Sequence, residues 1–313
     1  MLIRSIACLI LFTCNTVIAG GFSYPENPND RLIGKKPDQH HYIFAKHKET
    51  LLDIARNFDI GQIEILLANP TVDRWLPGRN TQVKIPNSRL LPDTPHEGIV
   101  LNLAEFRLYY YPEKIEGQGR QVITHPISIG RVDWETPLGK TQIIAKKKDP
   151  TWTPPESIRK EHEAKGDILP AVFPAGSDNP LGLFALRLGV PGYLIHGTNK
   201  PFGVGMQVSH GCIRMYPEDI EKIFPNVTVG TPVYIVNQPI KVGWSENILY
   251  VEVYQGLKDN KLSYEEKLDI ALALIEQANN YQMPVIDGQA LKLAIVQSDG
   301  VPVPVYRTNI YYH

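Results

Sequence analysis

Read for its alternation of apolar and polar positions, the 313-residue chain divides into three blocks separated by proline-rich joints. In the first, about 41–86, HYIFAKHK predicts a short strand. Leu51, Ile54, Ala55 and Phe58 recur at helical spacing in LLDIARNF, with Thr50 placed to cap the helix. A second helix, IEILLANP, is expected after Gly61 and must stop before Pro70. The turn LPGRN then leads into a strand, QVKIP.

The link Asn87–His96 carries Pro92 and Pro95 and is expected to be stiff. The second block, about 97–237, is rich in strand signals. In GIVLNLAEFRLYYYP, Val100, Leu103, Phe106, Leu108 and Tyr110 point to a hairpin broken at Asn102. QVITHPISIG, KTQIIAKKK, LGLFALRL, GYLIHG and TPVYIVN read as further strands, and PEDIEKIF as a short helix. Between them, TWTPPESIRKEHEAKGDILPAVFPAGSDNP has little periodicity. A stretch of that length inside a compact domain is expected to serve as a lid or binding loop. The third block, 238–313, offers a strand in NILYVEVYQ and an amphipathic helix in SYEEKLDIALALIEQANN, where Ser263 and Glu266 form a capping box. A shorter helix is expected over Gly288–Val296, and no catalytic constellation is visible there.

The N-terminus adds an address. Arg4, the apolar run Ile6–Phe12 and the small-residue signal ending at Ala19 read as a secretory signal over 1–19, so the chain is expected to be exported. The apolar run is too short for a membrane-spanning helix, and no later stretch approaches the required length. A formal net charge of −1 with no basic block argues against a nucleic-acid partner. Of the three cysteines, Cys8 and Cys14 fall in the signal, leaving Cys212 as a lone thiol.

That thiol sits in YLIHGTNKPFGVGMQVSHGCIRM, residues 193–215. Tyr193, Leu194 and Ile195 read as a buried strand that ends at His196. Gly197, Gly203 and Gly205 let the chain turn before it returns to Ser209, His210, Gly211 and Cys212. A thiol beside an imidazole becomes a nucleophile because the protonated ring favours thiolate. Gly211 clears the approach, and the N–H groups around Cys212 are available to an oxyanion. Spacing alone does not rank His196 against His210 as the base. His196, His210 and Cys212 also form a candidate zinc set, but no fourth ligand stands at a usual spacing.

The HGT and SHGCIRM segments, with TPLG and DNPLGLFALRL before them, resemble the L,D-transpeptidase (YkuD) family. LPDTPHEGIVLN, RLYYYP, PTWTPP and LPAVFPAG look like its periplasmic branch, which anchors murein lipoprotein. The first block, through ETLLDIARNFDI, LLANP and LPGRNTQVKIP, resembles a LysM module, with His47-Lys48-Glu49 in place of the usual Gly-acidic pair. These resemblances imply a mainly β catalytic domain over 97–237, a β-sandwich with short helices. Beside it they imply a small α+β LysM-like module over 41–86 that binds peptidoglycan glycan, and an α/β C-terminal extension over 238–313.

The resemblance further implies Cys212 as nucleophile, His196 as base oriented by the Gly197 carbonyl, and His210 near substrate. No cofactor and no metal are implied. Arg214 replaces the family's Asn and is expected to receive a substrate carboxylate. Ser209 and Gly211 are expected to line the substrate path, and Trp152 and Phe173 to cover the thioester. The implied donor is a peptidoglycan tetrapeptide stem attacked at meso-diaminopimelate with release of D-alanine. The acceptor is a lipoprotein, another outer-membrane protein or a second stem in a 3→3 cross-link, and the compartment is the periplasm. A same-fold cysteine amidase or L,D-carboxypeptidase and a non-catalytic peptidoglycan-binding protein are the alternatives.

Overall fold

The computed structural model describes residues 21–27, 29–37, 39, 41–114, 119–258 and 260–308; the expected export signal lies outside them. Two short strands, β1 (Gly21–Ser23) and β2 (Leu32–Gly34), open the described chain. Next comes β3 (His41–Phe44), α1 (Leu51–Asn57), α2 (Gln62–Ala68) and β4 (Gln82–Ile85), in the order the apolar spacing dictates. Thr50 caps α1 by accepting from the Asp53 N–H, while the Asp53 carboxylate takes the Thr50 N–H at 2.9 Å. β3 and β4 pair antiparallel, and Ala45, Leu51, Ile54, Ile60, Ile65 and Val83 close a small core of their own. The link strand β5 (Ser88–Leu90) pairs with β2.

The second block supplies β6 (Gly98–Asn102), β7 (Arg107–Tyr111), β8 (Gln121–Gly130), β9 (Gly139–Lys148), β10 (Phe184–Leu188), β11 (Leu194–His196), β12 (Gln207–Ser209), β13 (Ile213–Met215) and β14 (Pro232–Val236). Among the described residues the pairing runs β8-β13-β11-β10-β9-β14-β6-β7 and returns to β8, so the sheet closes on itself. The two ten-residue strands make this closure possible. β8 pairs with β7 through Ile123–Pro126 and with β13 through Ile127 and Ser128, while β9 pairs first with β14 and then with β10.

The closed sheet buries both faces of its central strands, which overrides simple alternation. Ile99, Leu101, Leu108 and Tyr110 point into the main core, whereas Val100, Tyr109 and Tyr111 point into a second core with Tyr24, Ile33 and Leu91. Val100 therefore lies on the opposite face from Leu108. The hairpin forms, with Asn102 opposite Arg107. The aperiodic stretch after β9 contains a helix that the periodicity missed, α3 (Glu156–Glu163); only Ile158 of it is buried, so it carries no apolar stripe. The short helix α4 (Pro217–Ile223) follows β13.

The third block adds β15 (Ile240–Ser245), β16 (Ile248–Val253), α5 (Tyr264–Ala278), α6 (Gly288–Gln297) and β17 (Val303–Arg307). The three strands pair antiparallel, and both helices pack on them around Val242, Leu249, Ala271, Ile275 and Ile295. The Ser263–Glu266 capping box forms as expected. No helix among the described residues is long and apolar enough to cross a membrane.

The small unit is joined to the closed sheet by a charged seam. Glu64 of α2 pairs with Arg107 of β7 at 2.6 Å and Arg89 at 2.9 Å. Asp59 meets the fully buried His125 of β8 at 2.9 Å, and Asp219 of α4 lies 3.4 Å from the same ring nitrogen. Burial pushes His125 down, but the two carboxylates overcome it and hold the ring up at about 9. The native state therefore binds this proton more tightly than the unfolded chain. Its contribution is fully present below pH 6.5 and is lost as pH rises through about 9. Urea unfolding should report a loss on the order of 3 kcal/mol across that window. His125→Gln should flatten the pH dependence.

Candidate active site

The candidate nucleophile and base are placed by neighbouring parallel strands. β11 pairs with β13 in the register Ile195 to Ile213 and His196 to Arg214. Alternation sends Ile195, Ile213 and Met215 into the main core, where all three are fully buried. It sends His196, Arg214 and, one step before β13, Cys212 to the opposite face. Two strands that share one pleat thus place residues sixteen positions apart on one face.

The turn before Cys212 is held through its carbonyls. The Ser209 hydroxyl donates to the Cys212 carbonyl at 2.5 Å, and the Thr136 hydroxyl donates to the Gly211 carbonyl at 2.9 Å. The Arg131 N–H donates to the Ser209 carbonyl at 3.0 Å. Gly211 has φ +97°, and a Cβ there would stand 2.9 Å from the Tyr193 ring, so the position requires glycine. The Ser209 side chain, expected to line the substrate path, is buried and its hydroxyl is committed to the turn.

The resting electrostatics differ from an imidazolium–thiolate pair. Burial, reinforced by the Arg214 charge, lowers His196 to about 3, although the carbonyls of Gly197 and Leu181 favour the protonated ring. His196 Nδ1 lies 2.6 Å from the Gly197 carbonyl. A neutral ring meets that carbonyl with Nδ1–H, which leaves Nε2 as the basic nitrogen. Burial raises Cys212, while the Leu194 backbone and Arg214 pull it back in part. The Cys212 thiol points to the Gly192 carbonyl at 3.6 Å. The pair therefore rests as thiol and neutral imidazole, with Arg214 charged beside both. Among the described residues Arg214 has no carboxylate within ion-pair distance, unlike the buried Arg107.

His210 is held by a partner that the sequence did not reveal. Its Nε2 is 3.1 Å from Glu161 of α3, and Trp134 meets the ring edge-on at 5.4 Å. Glu161 also binds Arg131, and Lys165 at 2.6 Å. Those cations hold the Glu161 carboxyl far below the usual range, so it remains an anion. Burial lowers His210 against the opposing pull of Glu161. Trp152 and Phe173 face each other through paired backbone hydrogen bonds of 2.9 and 2.7 Å and rings 5.3 Å apart. They close the neck of segment 150–180, while Glu161 ties its helix to His210.

Metal-ligand geometry points elsewhere. Among the described residues one set of three candidate ligands converges within 4.8 Å: Asp59, His125 and Asp219. Lys222 already pairs with Asp219 at 3.1 Å, and His125 is held protonated, so this set fits a shared proton better than a cation.

Residues 96–235 match the model of the L,D-transpeptidase catalytic domain, YkuD. The chain is 39% identical over 293 residues to the probable L,D-transpeptidase YbiS of Escherichia coli K12, covering 93% of each. It is 40% identical over 286 residues to YcfS of the same strain, covering 90% of this chain and 87% of that one. A third relative there, ErfK/SrfK, is 37% identical over 309 residues, covering 95% and 94%. Similarity that runs through all three blocks, with the motif residues brought to one face, makes the chain a member of the L,D-transpeptidase family of enzymes.

Proposed function

We propose that this enzyme transfers the acyl group of a peptidoglycan tetrapeptide stem through a thioester on Cys212. The observation that carries the reading is the placement of Cys212 and His196 on one face of adjacent parallel strands, with His196 Nδ1 held by the Gly197 carbonyl. In the first half-reaction His196 Nε2 takes the Cys212 proton as sulfur attacks the meso-diaminopimelate carbonyl. The oxyanion collapses, the amide bond breaks, and D-alanine leaves with the proton from His196. In the second, His196 deprotonates an acceptor amine, nitrogen displaces sulfur, and Cys212 recovers its proton. The thioester retains much of the amide's free energy, so no nucleotide is needed. Arg214, a cation that meets no carboxylate among the described residues, receives a carboxylate of the stem.

Glu161 fastens segment 150–180 against His210, which favours transfer over hydrolysis by limiting water at the thioester. The small unit acts as a glycan anchor of the LysM kind. Its outer loop carries Trp75 and Leu76 at 57% and 78% exposure, and an anchored polymer raises the local concentration of stems. Export to the periplasm by residues 1–19 belongs to the same proposal. The acceptor is an amine, with a protein lysine favoured over a second stem by the likeness to the lipoprotein-anchoring branch. Mass spectrometry of muropeptides after incubation with and without acceptor amine tests transfer. An amine-linked product supports it; tripeptide alone in the presence of amine would assign a hydrolase.

A further inference from the structure

The corner between α1 and α2 presses on both ends of the chain segment that carries Cys212. Gly61 and Gly205 meet backbone to backbone: a Cβ built on Gly205 would lie 2.3 Å from the Gln62 nitrogen and 2.4 Å from the Gly61 Cα. Gly205 sits at φ +87°, so its side-chain-free backbone is required twice over. The Gln62 N–H donates to the Val204 carbonyl at 3.0 Å, and the Ile63 N–H to the Gly205 carbonyl at 3.4 Å. These contacts fall in the loop between His196 and Cys212. Beyond Cys212 the same corner grips the chain again. Arg56 binds Glu218 through two bonds of 2.7 and 2.8 Å, and the Tyr216 hydroxyl donates to the Ile60 carbonyl at 3.3 Å.

We propose that this corner is a positioning element of the active site: Gly61 and Arg56 set the placement of Cys212 relative to His196, so the small unit does more than anchor glycan. The chemistry of the contact supports this. Backbone-to-backbone packing transmits displacement without the slack of a flexible side chain, and an error of about 1 Å in reacting atoms can cost about 100-fold in rate. The inference rests on Cys212 as the nucleophile, but its test reads the loop independently of turnover.

Gly61→Ala is the direct probe. Gly61 has φ −77°, which alanine adopts freely, and the added methyl would meet the Gly205 Cα at 3.0 Å and the Pro126 side chain at 3.4 Å. The full-length variant should keep its cooperative melt, with kcat and the rate of Cys212 alkylation by iodoacetamide each reduced about 10-fold and KM within about 2-fold. Wild-type values for kcat and alkylation would overturn the proposal. So would a fall in kcat at an unchanged alkylation rate. Should Gly61→Ala fail to fold, the Arg56–Glu218 pair decides. Arg56→Glu and Glu218→Arg should each slow alkylation, and the double exchange should restore it; equal loss in the double variant would overturn the proposal. If Cys212→Ala retains turnover, the nucleophile assignment fails, whereas a slowed alkylation in Gly61→Ala still reports loop positioning.

Discussion

His196→Gln should lower the rate of Cys212 acylation by about 10²- to 10⁴-fold, the range for loss of a positioned general base. Glutamine retains a polar group near the Gly197 carbonyl but offers no nitrogen that can accept the thiol proton. Donor binding should change little, because the proton transfer occurs as the bond forms. The wild-type pH profile carries the same logic. His196 is held down to about 3, so it remains a base well below the usual imidazole range. kcat/KM should therefore be level between about pH 5 and 8, without an acid limb near 6.5. Alkylation of the free enzyme should climb through pH 9, because burial raises the Cys212 thiol. A preformed imidazolium–thiolate would instead give fast alkylation at neutral pH.

The largest effect on stability should come from Lys241→Met. The Lys241 ammonium is fully buried between Glu105 at 2.9 Å and Glu252 at 3.2 Å, and donates to the Leu90 carbonyl at 2.6 Å. Burial raises Glu252 to about 7, with Lys241 opposing and Glu105 adding to the rise. Removing the ammonium leaves two carboxylates facing each other without a cation, which costs about 3–5 kcal/mol for a broken buried pair. Glu252 would then hold its proton further above its unfolded range, so the native state would bind more protons than the unfolded chain. The deficit should shrink as pH falls toward about 5 and be larger near pH 8. Urea titrations of the variant and wild type at both pH values check the magnitude and the sign. A variant as stable as wild type at neutral pH would show that the Lys241 ammonium does not balance Glu105 and Glu252.

What could be read from the chain was what local chemistry encodes. The capping residues Thr50, Ser263 and Glu266 act over three positions, so the helices they start were legible. The Ser209–Met215 motif was legible from its residue types, and β11 and β13 lie side by side with His196 and Cys212 on one face. Distance in sequence hid the rest. Glu161 reaches His210 across 49 positions from a helix without an apolar stripe. Lys241 and Glu252 pair in the interior from two strands of the C-terminal block, a burial that no local pattern announces. Ser209 belonged to the motif, but only the fold reveals that its hydroxyl is used on the Cys212 carbonyl. The protonation state of the thiol–imidazole pair depends on burial, which spacing does not contain. The seam that seats Gly61 against Gly205 required two units to be placed in three dimensions.

The proposed transfer depends on acylation of Cys212 by a peptidoglycan stem. Intact-protein mass spectrometry of the purified enzyme, quenched in acid during turnover of a tetrapeptide donor, tests it most directly. A mass increase equal to the tripeptide acyl group is expected, located on the peptide that contains Cys212 and absent from Cys212→Ala. Turnover with no adduct on Cys212, or undiminished turnover in Cys212→Ala, would contradict it.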